Sequence, residues 1–306
     1  MLNREIREEL RAICGKCGGT VLFGHPLGAH STISIGGKAS AWFVPSSLEG
    51  LCITKSFLEG AGVRTVVIGR GSNVLIPDEG LDAVVINLSD AFFSDVRIEG
   101  RSVTAGAGAR LGRLVSLCCM GGLGGLEGLI GVPGTVGGAV FMNASYRGAA
   151  SDFLEKVQIV NGEGQAFWME KKELEFEYRG SSVKENEIIT RVVFRLEEAS
   201  PGDLNSGLKS LFAEKAGKQP LGEKTLGCIF KNPTGSGSGG GELIDKSGMK
   251  GYRRGGAKVS EKHANFIVNC DRASFSDVTS LMNDVRRKVL DRFSVELEPE
   301  IRILGN

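Results

Sequence analysis

A chain of 306 residues is long enough for about two domains and a sizeable core. Its 41% hydrophobic and 24% charged residues place it among ordinary soluble globular proteins, and a net charge of +1, from 37 basic against 36 acidic residues, leaves no electrostatic footprint for nucleic acid. The 45 glycines are about twice the usual ~7%, and because they cluster they mark backbone sites rather than disorder.

The opening MLNREIREEL is charged and helix-like, unlike a signal peptide. Val63 to Ile68 is a β-branched run ending in GRGSN, a strand followed by a turn. Asn73 to Ile76, Ala83 to Leu88 and Ser102 to Ala105 read as further strands, and a helix follows from about Arg110 to Met120. Residues 121 to 140 carry only Glu127 as a charge, but nine glycines and Pro133 make them a loop system, and no membrane insertion is expected. Val157 to Val160 and Gln165 to Met169 flank NGEG, a hairpin signal, and Ile188 to Leu196 reads as a strand closing this region.

The polar stretch EEASPGDLNS sets an expected domain boundary near Ser200. A helix over Leu204 to Gly217, a strand over Cys228 to Phe230 and a strand over His263 to Val268 follow. Ser274 caps a long helix whose apolar face comprises Val278, Leu281, Met282, Val285, Val289, Leu290 and Phe293. Val295, Leu297, Ile301 and Ile303 alternate with polar residues as a half-buried terminal strand. The sum is an α+β protein.

Seven cysteines form no framework, so reduced thiols in a reducing compartment are expected, and the cytoplasm with them. Cys14 and Cys17 make one CxxC with no second pair, and His25 and His30 flank a proline-containing loop; no metal site is expected.

Three glycine clusters compete for a phosphate. Gly235 to Gly240 formally matches GxGxxG, but its composition is that of a linker, no helix is expected to open from it, and it reads as a flexible loop. No GxxxxGK[ST] string exists, which excludes a P-loop. GRGSN, Gly69 to Asn73, is either a tight β-turn or a nest of backbone N–H groups with Ser72 and Asn73 as added donors. GLEGLIGVPGTVGGAVFMNA, Gly125 to Ala144, is either a core-packed loop or a path along which a planar cofactor lies.

Together these strings resemble the MurB family of UDP-N-acetylenolpyruvoylglucosamine reductases, over about Pro26 to Gly305. The resemblance is carried by PLGAHSTISIGGKASAWFVP, GRGSNVLIPDEG, AGAGARLGRLV, GLEGLIGVPGTVGGAVFMNA and FEYRGS. KQP, GCIFKNP, LIDKSGMKG, VSEKHANFIVN and FSVELEPEIRILG complete the ordered set. It implies an FAD-binding fold of the vanillyl-alcohol-oxidase type over residues 1–200, in two subdomains divided near residues 88–100. A C-terminal α+β substrate domain would occupy residues 201–306. The direct run from YRGSS to IITRVVF is similar to the shorter class that lacks an extra substrate-covering loop.

By resemblance, non-covalent FAD would lie on Gly69, Arg70, Gly71, Ser72, Asn73, Gly131, Val132, Pro133, Gly134, Thr135, Gly137, Gly138 and Asn143. Lys218 and Asn232 would line the substrate site. The implied reaction reduces the enolpyruvyl ether of UDP-N-acetylglucosamine to a lactyl ether, giving UDP-N-acetylmuramate for peptidoglycan, with NADPH as co-substrate and no obligate protein partner. Arg179, in the YRxS motif, would bind the carboxylate, and Glu300 would hydrogen-bond the developing enolate. Without the family, the first reads as a surface ion pair beside Glu177 and the second as one of a solvated face with Glu296, Glu298 and Arg302. Cys228 stands where the family usually has serine; a thiol of pKa near ~8.5 is protonated at neutral pH and can donate the proton. Its bland reading is a small buried hydrophobe, as for Cys118 and Cys119. His263 reads as a structural hydrogen-bonding residue.

MNASYRGAA replaces a more usual MNAGAYG-like stretch near the flavin. Two rivals remain. A flavin oxidoreductase of small alcohols would share the glycine loops without needing GCIFKNP or Glu300. A non-catalytic nucleotide-sugar binder would be expected to lack at least one of Arg179, Cys228 and Glu300.

Overall fold

The computed structural model describes residues 2–235 and 237–305, so Met1 of the opening MLNREIREEL stretch and Ser236 of the GSGSGGG string lie outside the described residues. The chain forms two compact units: residues 1–25, 39–69 and 82–214, and residues 26–38, 70–81 and 215–306. A single cut near Ser200 does not describe this packing, because the second unit takes up two early segments and begins its long final stretch only at Lys215.

The first unit opens with the helix Arg4–Cys17, started by Asn3, whose Oδ1 accepts from the Ile6 N–H at 2.9 Å. A four-stranded sheet follows in the order Thr20–Pro26, Lys38–Val44, Leu81–Ile86, Thr65–Val67, its last pair parallel. An antiparallel five-stranded sheet begins at Val96 and has the order Ala166–Glu170, Leu154–Val160, Ile188–Arg195, Ser102–Gly106, Val96–Glu99. The NGEG segment makes the expected hairpin, pairing Ala166 with Val160. The expected strand at the end of this region runs over Ile188–Arg195 and lies at the centre of its sheet, where the run IITRVVF is buried nearly along its whole length. The 121–140 stretch is not wholly loop: the short helix Val136–Phe141 begins within it, capped by the Thr135 hydroxyl on the Gly138 N–H. Among the described residues no helix is long and apolar enough to cross a membrane.

The second unit has an antiparallel sheet ordered Thr225–Cys228, Phe266–Asn269, Ala257–Val259, Arg253–Arg254. Its long helix, Phe275–Phe293, starts at Ser274 in a full capping box with Asp277. Val278, Leu281, Met282, Val285 and Val289 are buried in the unit's core, each fully buried side chain stabilising by about 1.5–3 kcal/mol. Leu290 leaves that face, at 48% exposure, because it lies about 100° round the helix from Val289.

Two expectations fail here. The helix Gly240–Lys246 opens directly from the glycine string read as linker, and Asn232 Oδ1 accepts the Gly240 N–H at 2.9 Å. The terminal strand is confined to Arg302–Ile303, paired in parallel with Val74–Leu75. Upstream, Leu297 and Ile301 are buried, but Ile303 is 46% exposed and Leu304 is buried instead. Before it, Pro299 makes an isolated antiparallel bridge with Phe230 and, having no N–H to donate, adds no ladder bond of its own.

Candidate functional site

In the first unit, the glycine segments meet one another. A Cβ on Gly69 would lie 2.6 Å from Thr135 Oγ1, so the start of GRGSN packs against the GVPGT segment. The backbone of 107–111 pairs with the same segment: Leu111 N–H donates to Gly134 O at 3.2 Å, Val136 N–H to Ala109 O at 2.9 Å and Gly137 N–H to Ala107 O at 2.8 Å. Asn87, buried and unremarked in the sequence, donates its side-chain amide to Ile68 O at 2.7 Å and Gly69 O at 3.0 Å. A polar residue closing the strand-like run DAVVIN was the signal available for it.

This segment fits a flavin dinucleotide. Val136, Gly137, Ala139 and Val140 are buried in the short helix, whereas Gly138 is its exposed residue and carries no side chain. Gly131, Val132 and Gly134 are half-buried and Pro133 is exposed. Gly131, Gly134 and Gly138 therefore leave main chain uncovered by side chains, room that a planar or phosphate-bearing group needs, while the N–H groups of Val136 and Gly137 are already spent on the protein's own backbone.

The YRGS motif forms a hairpin pairing Phe176 with Ser181 and Glu177 with Gly180. Arg179 occupies its turn with φ +62°, a conformation normally left to glycine or asparagine, and costing a non-glycine residue about 1–2 kcal/mol. Its Nη1 donates to Ser145 Oγ at 2.6 Å and Ser145 O at 3.1 Å, so the guanidinium is tied to the MNAS segment. Asn143, expected on the cofactor, is buried; its Nδ2 donates to Glu177 O at 3.0 Å and its Oδ1 accepts from Ser151 N–H at 3.3 Å. The side chain thus serves the hairpin.

In the second unit, the remainder of GRGSN is not a hydrogen-bonded turn: residues 70–73 run as bends, with Arg70 exposed, Gly71 buried, and Ser72 and Asn73 half-buried. Gly71 has φ +60°, and a Cβ there would lie 2.1 Å from His30 O and 2.8 Å from the Ser31 Cα. Thr32 holds the loop further, its N–H donating to Gly71 O at 3.1 Å and its Oγ1 to Thr225 O at 2.6 Å. The glycine is therefore required by protein backbone before any cofactor arrives. Gly71→Val should lower stability by about 2–5 kcal/mol, the left-handed conformation and overpacking adding, with flavin retention lost alongside. An unchanged melting temperature with full flavin content would show that the loop can yield.

Three distant segments of this unit converge. Asn73 Nδ2 donates to Glu300 O at 3.2 Å, and the Glu300 N–H donates to Ile229 O at 2.8 Å, next to Cys228. Cys228 is half-buried at the end of its strand; Thr225 pairs with Val268 and Cys228 with Phe266, so one extra residue is accommodated between them. Gly227, at φ +82°, lies in that bulge, a device that re-aims the following side chain. Asn265, buried and missed in the sequence, clamps a residue just beyond by accepting from Phe230 N–H at 3.0 Å and donating to Phe230 O at 2.7 Å.

Glu300 does not share a solvated face with its acidic neighbours. It is half-buried, whereas Glu298 is exposed and paired with Lys231 at 2.7 Å, and Glu296 is exposed and paired with Arg286 at 3.0 Å. Lys218, the last residue of the helix Pro201–Lys218, and Asn232 are both exposed. His263 Nδ1 accepts the Asn265 N–H at 3.2 Å, and burial, helped by Lys250, lowers its pKa, as suits a neutral structural imidazole. Among the described residues no group of three or more His, Cys, Asp or Glu side chains is placed to hold a metal ion.

Residues 39–170 match an FAD binding domain, and residues 219–304 match the UDP-N-acetylenolpyruvoylglucosamine reductase C-terminal domain. An FAD-binding domain with a glycine-lined main-chain path, followed by this second domain, defines a flavin-dependent oxidoreductase. The chain is 36% identical to UDP-N-acetylenolpyruvoylglucosamine reductase of Halalkalibacterium halodurans, over 98% of this chain and 99% of that protein. It is 36% identical to the Bacillus subtilis protein of the same name, over 94% and 95% respectively. The crystal structure of the Thermus caldophilus reductase superposes with a TM-score of 0.80 at 34% identity, covering 94% of this chain and 99% of that one. The chain belongs to the UDP-N-acetylenolpyruvoylglucosamine reductase family.

Proposed function

We propose that the chain reduces UDP-N-acetylglucosamine enolpyruvate to UDP-N-acetylmuramate with NADPH, for peptidoglycan precursor synthesis in the cytoplasm. Family membership over nearly the full length supports the reaction. The observation that carries the site is the convergence of Asn73, the Cys228–Ile229 step and Glu300 through two backbone-directed hydrogen bonds. A small-alcohol oxidoreductase has no need of that arrangement.

Gly69 to Asn73 and Gly131 to Gly138 would hold FAD, which when bound supplies the hydride chemistry that side chains lack. The chain supplies charge, orientation and a proton. The Arg179 guanidinium stays protonated and can grip the substrate carboxylate in a fixed fork. As the methylene carbon of the enolpyruvyl group is reduced, negative charge builds toward the carboxylate. Cys228 Sγ then gives its proton to the carbon bearing the carboxylate, and Glu300, as the protonated carboxyl, donates a hydrogen bond to the developing charge. Lys218 and Asn232 serve the nucleotide-sugar.

The test is the visible spectrum of the purified protein. A yellow protein that releases unmodified FAD, is bleached by NADPH and regains colour with the enolpyruvyl substrate is expected. A folded protein that takes up no flavin sinks the proposal.

A further inference from the structure

The FMNAS segment, residues 141–145, reaches the YRGS hairpin at three points. Ser181 Oγ donates to Phe141 O at 2.8 Å and Asn143 Nδ2 to Glu177 O at 3.0 Å; these two bonds place the hairpin. The third, from Arg179 Nη1 to Ser145 Oγ at 2.6 Å, acts on the guanidinium. Ser145 is half-buried, and it stands in the stretch where this chain departs from the glycine-rich family pattern. An arginine side chain has many rotamers, and a partner that holds its charged end removes that freedom before a ligand binds.

We infer that Ser145 is a positioning residue for Arg179, its hydroxyl holding the guanidinium ready for the substrate carboxylate. This rests on the reading that Arg179 binds that carboxylate. The bond is charge-assisted and short, and it fixes the direction of one guanidinium nitrogen and with it the plane of the group. Ser145 itself need not touch the substrate. Its contribution is to binding of the carboxylate-bearing molecule, not to flavin retention.

The experiment measures, on the flavin-loaded protein, the dissociation constants of the enolpyruvyl substrate and of UDP-N-acetylglucosamine, which lacks the carboxylate. Melting temperature and flavin content are recorded alongside. Ser145→Ala should weaken the enolpyruvyl substrate by about tenfold, the lower end for a hydrogen bond to a charged group, because the Ser145 carbonyl still accepts. UDP-N-acetylglucosamine should bind as before, and Ser145→Thr should restore the loss. Ser145→Gly should behave as the alanine variant does and keeps the test open if that variant folds poorly. Equal weakening of both ligands, or none, overturns the role of Ser145. Arg179→Ala separates the two ideas: if it too leaves the enolpyruvyl substrate unaffected, the reading of Arg179 fails rather than that of Ser145 alone.

Discussion

Cys228→Ala should be bleached by NADPH at an ordinary rate, while the return of colour with the enolpyruvyl substrate falls by about a hundredfold to ten-thousandfold, the range for a lost general acid. Cys228→Ser should retain substantial activity, since a hydroxyl can fill the same place. The bulge at Gly227 motivates the assignment, because it turns the Cys228 side chain at the strand's end. Alkylation should inactivate the native protein and spare the serine variant, with bound substrate protecting the thiol. Cys270 is exposed and Cys14, Cys17 and Cys52 are half-buried like Cys228, so labelling is best read with those four replaced by serine. Cys118 and Cys119 should stay unlabelled: burial, with Glu127 nearby, pushes their thiols up to about 12 and about 11. Reoxidation of Cys228→Ala at the native rate would show that the thiol only packs.

Glu300→Gln should slow the same substrate-dependent step by about tenfold to a hundredfold, below the full loss of an enolate-stabilising donor because the amide can still donate. NADPH oxidation by the loaded protein should be nearly intact. Glu298→Gln is the control. Its carboxylate is exposed and paired with Lys231, an arrangement worth about 0–1 kcal/mol, so it should be close to neutral. Like behaviour of the two variants in single-turnover reoxidation removes the role assigned to Glu300.

Local pattern carried much of the fold. The long helix after Ser274 was legible because its cap and its buried face repeat within a few residues, and the hairpin at NGEG because the turn and its flanking strands are adjacent. Local pattern failed where the environment changes within an element. Leu290 is apolar but rotates away from the core, and the alternation after Val295 breaks at Ile303. The helix at Gly240 was hidden by a glycine-rich string whose composition resembles a linker, while the side chain that meets its first turn, Asn232, lies eight residues upstream.

The ordered motifs by themselves determined the family and hence the cofactor class, since their succession is specific even though each is weak. Tertiary structure decided what each residue has for company. Gly71 is glycine because the His30 carbonyl occupies the place of a side chain. Asn143 holds the hairpin of Arg179, and Ser145 its guanidinium. Glu300 is half-buried, with its backbone held by Asn73, 227 residues away, and by Ile229, whereas the Glu298 carboxylate lies exposed on Lys231. Helical and strand periods are written within a single turn or pleat, so a sequence displays them directly. Contacts between segments so far apart depend on how the whole chain packs, and no local spacing records them.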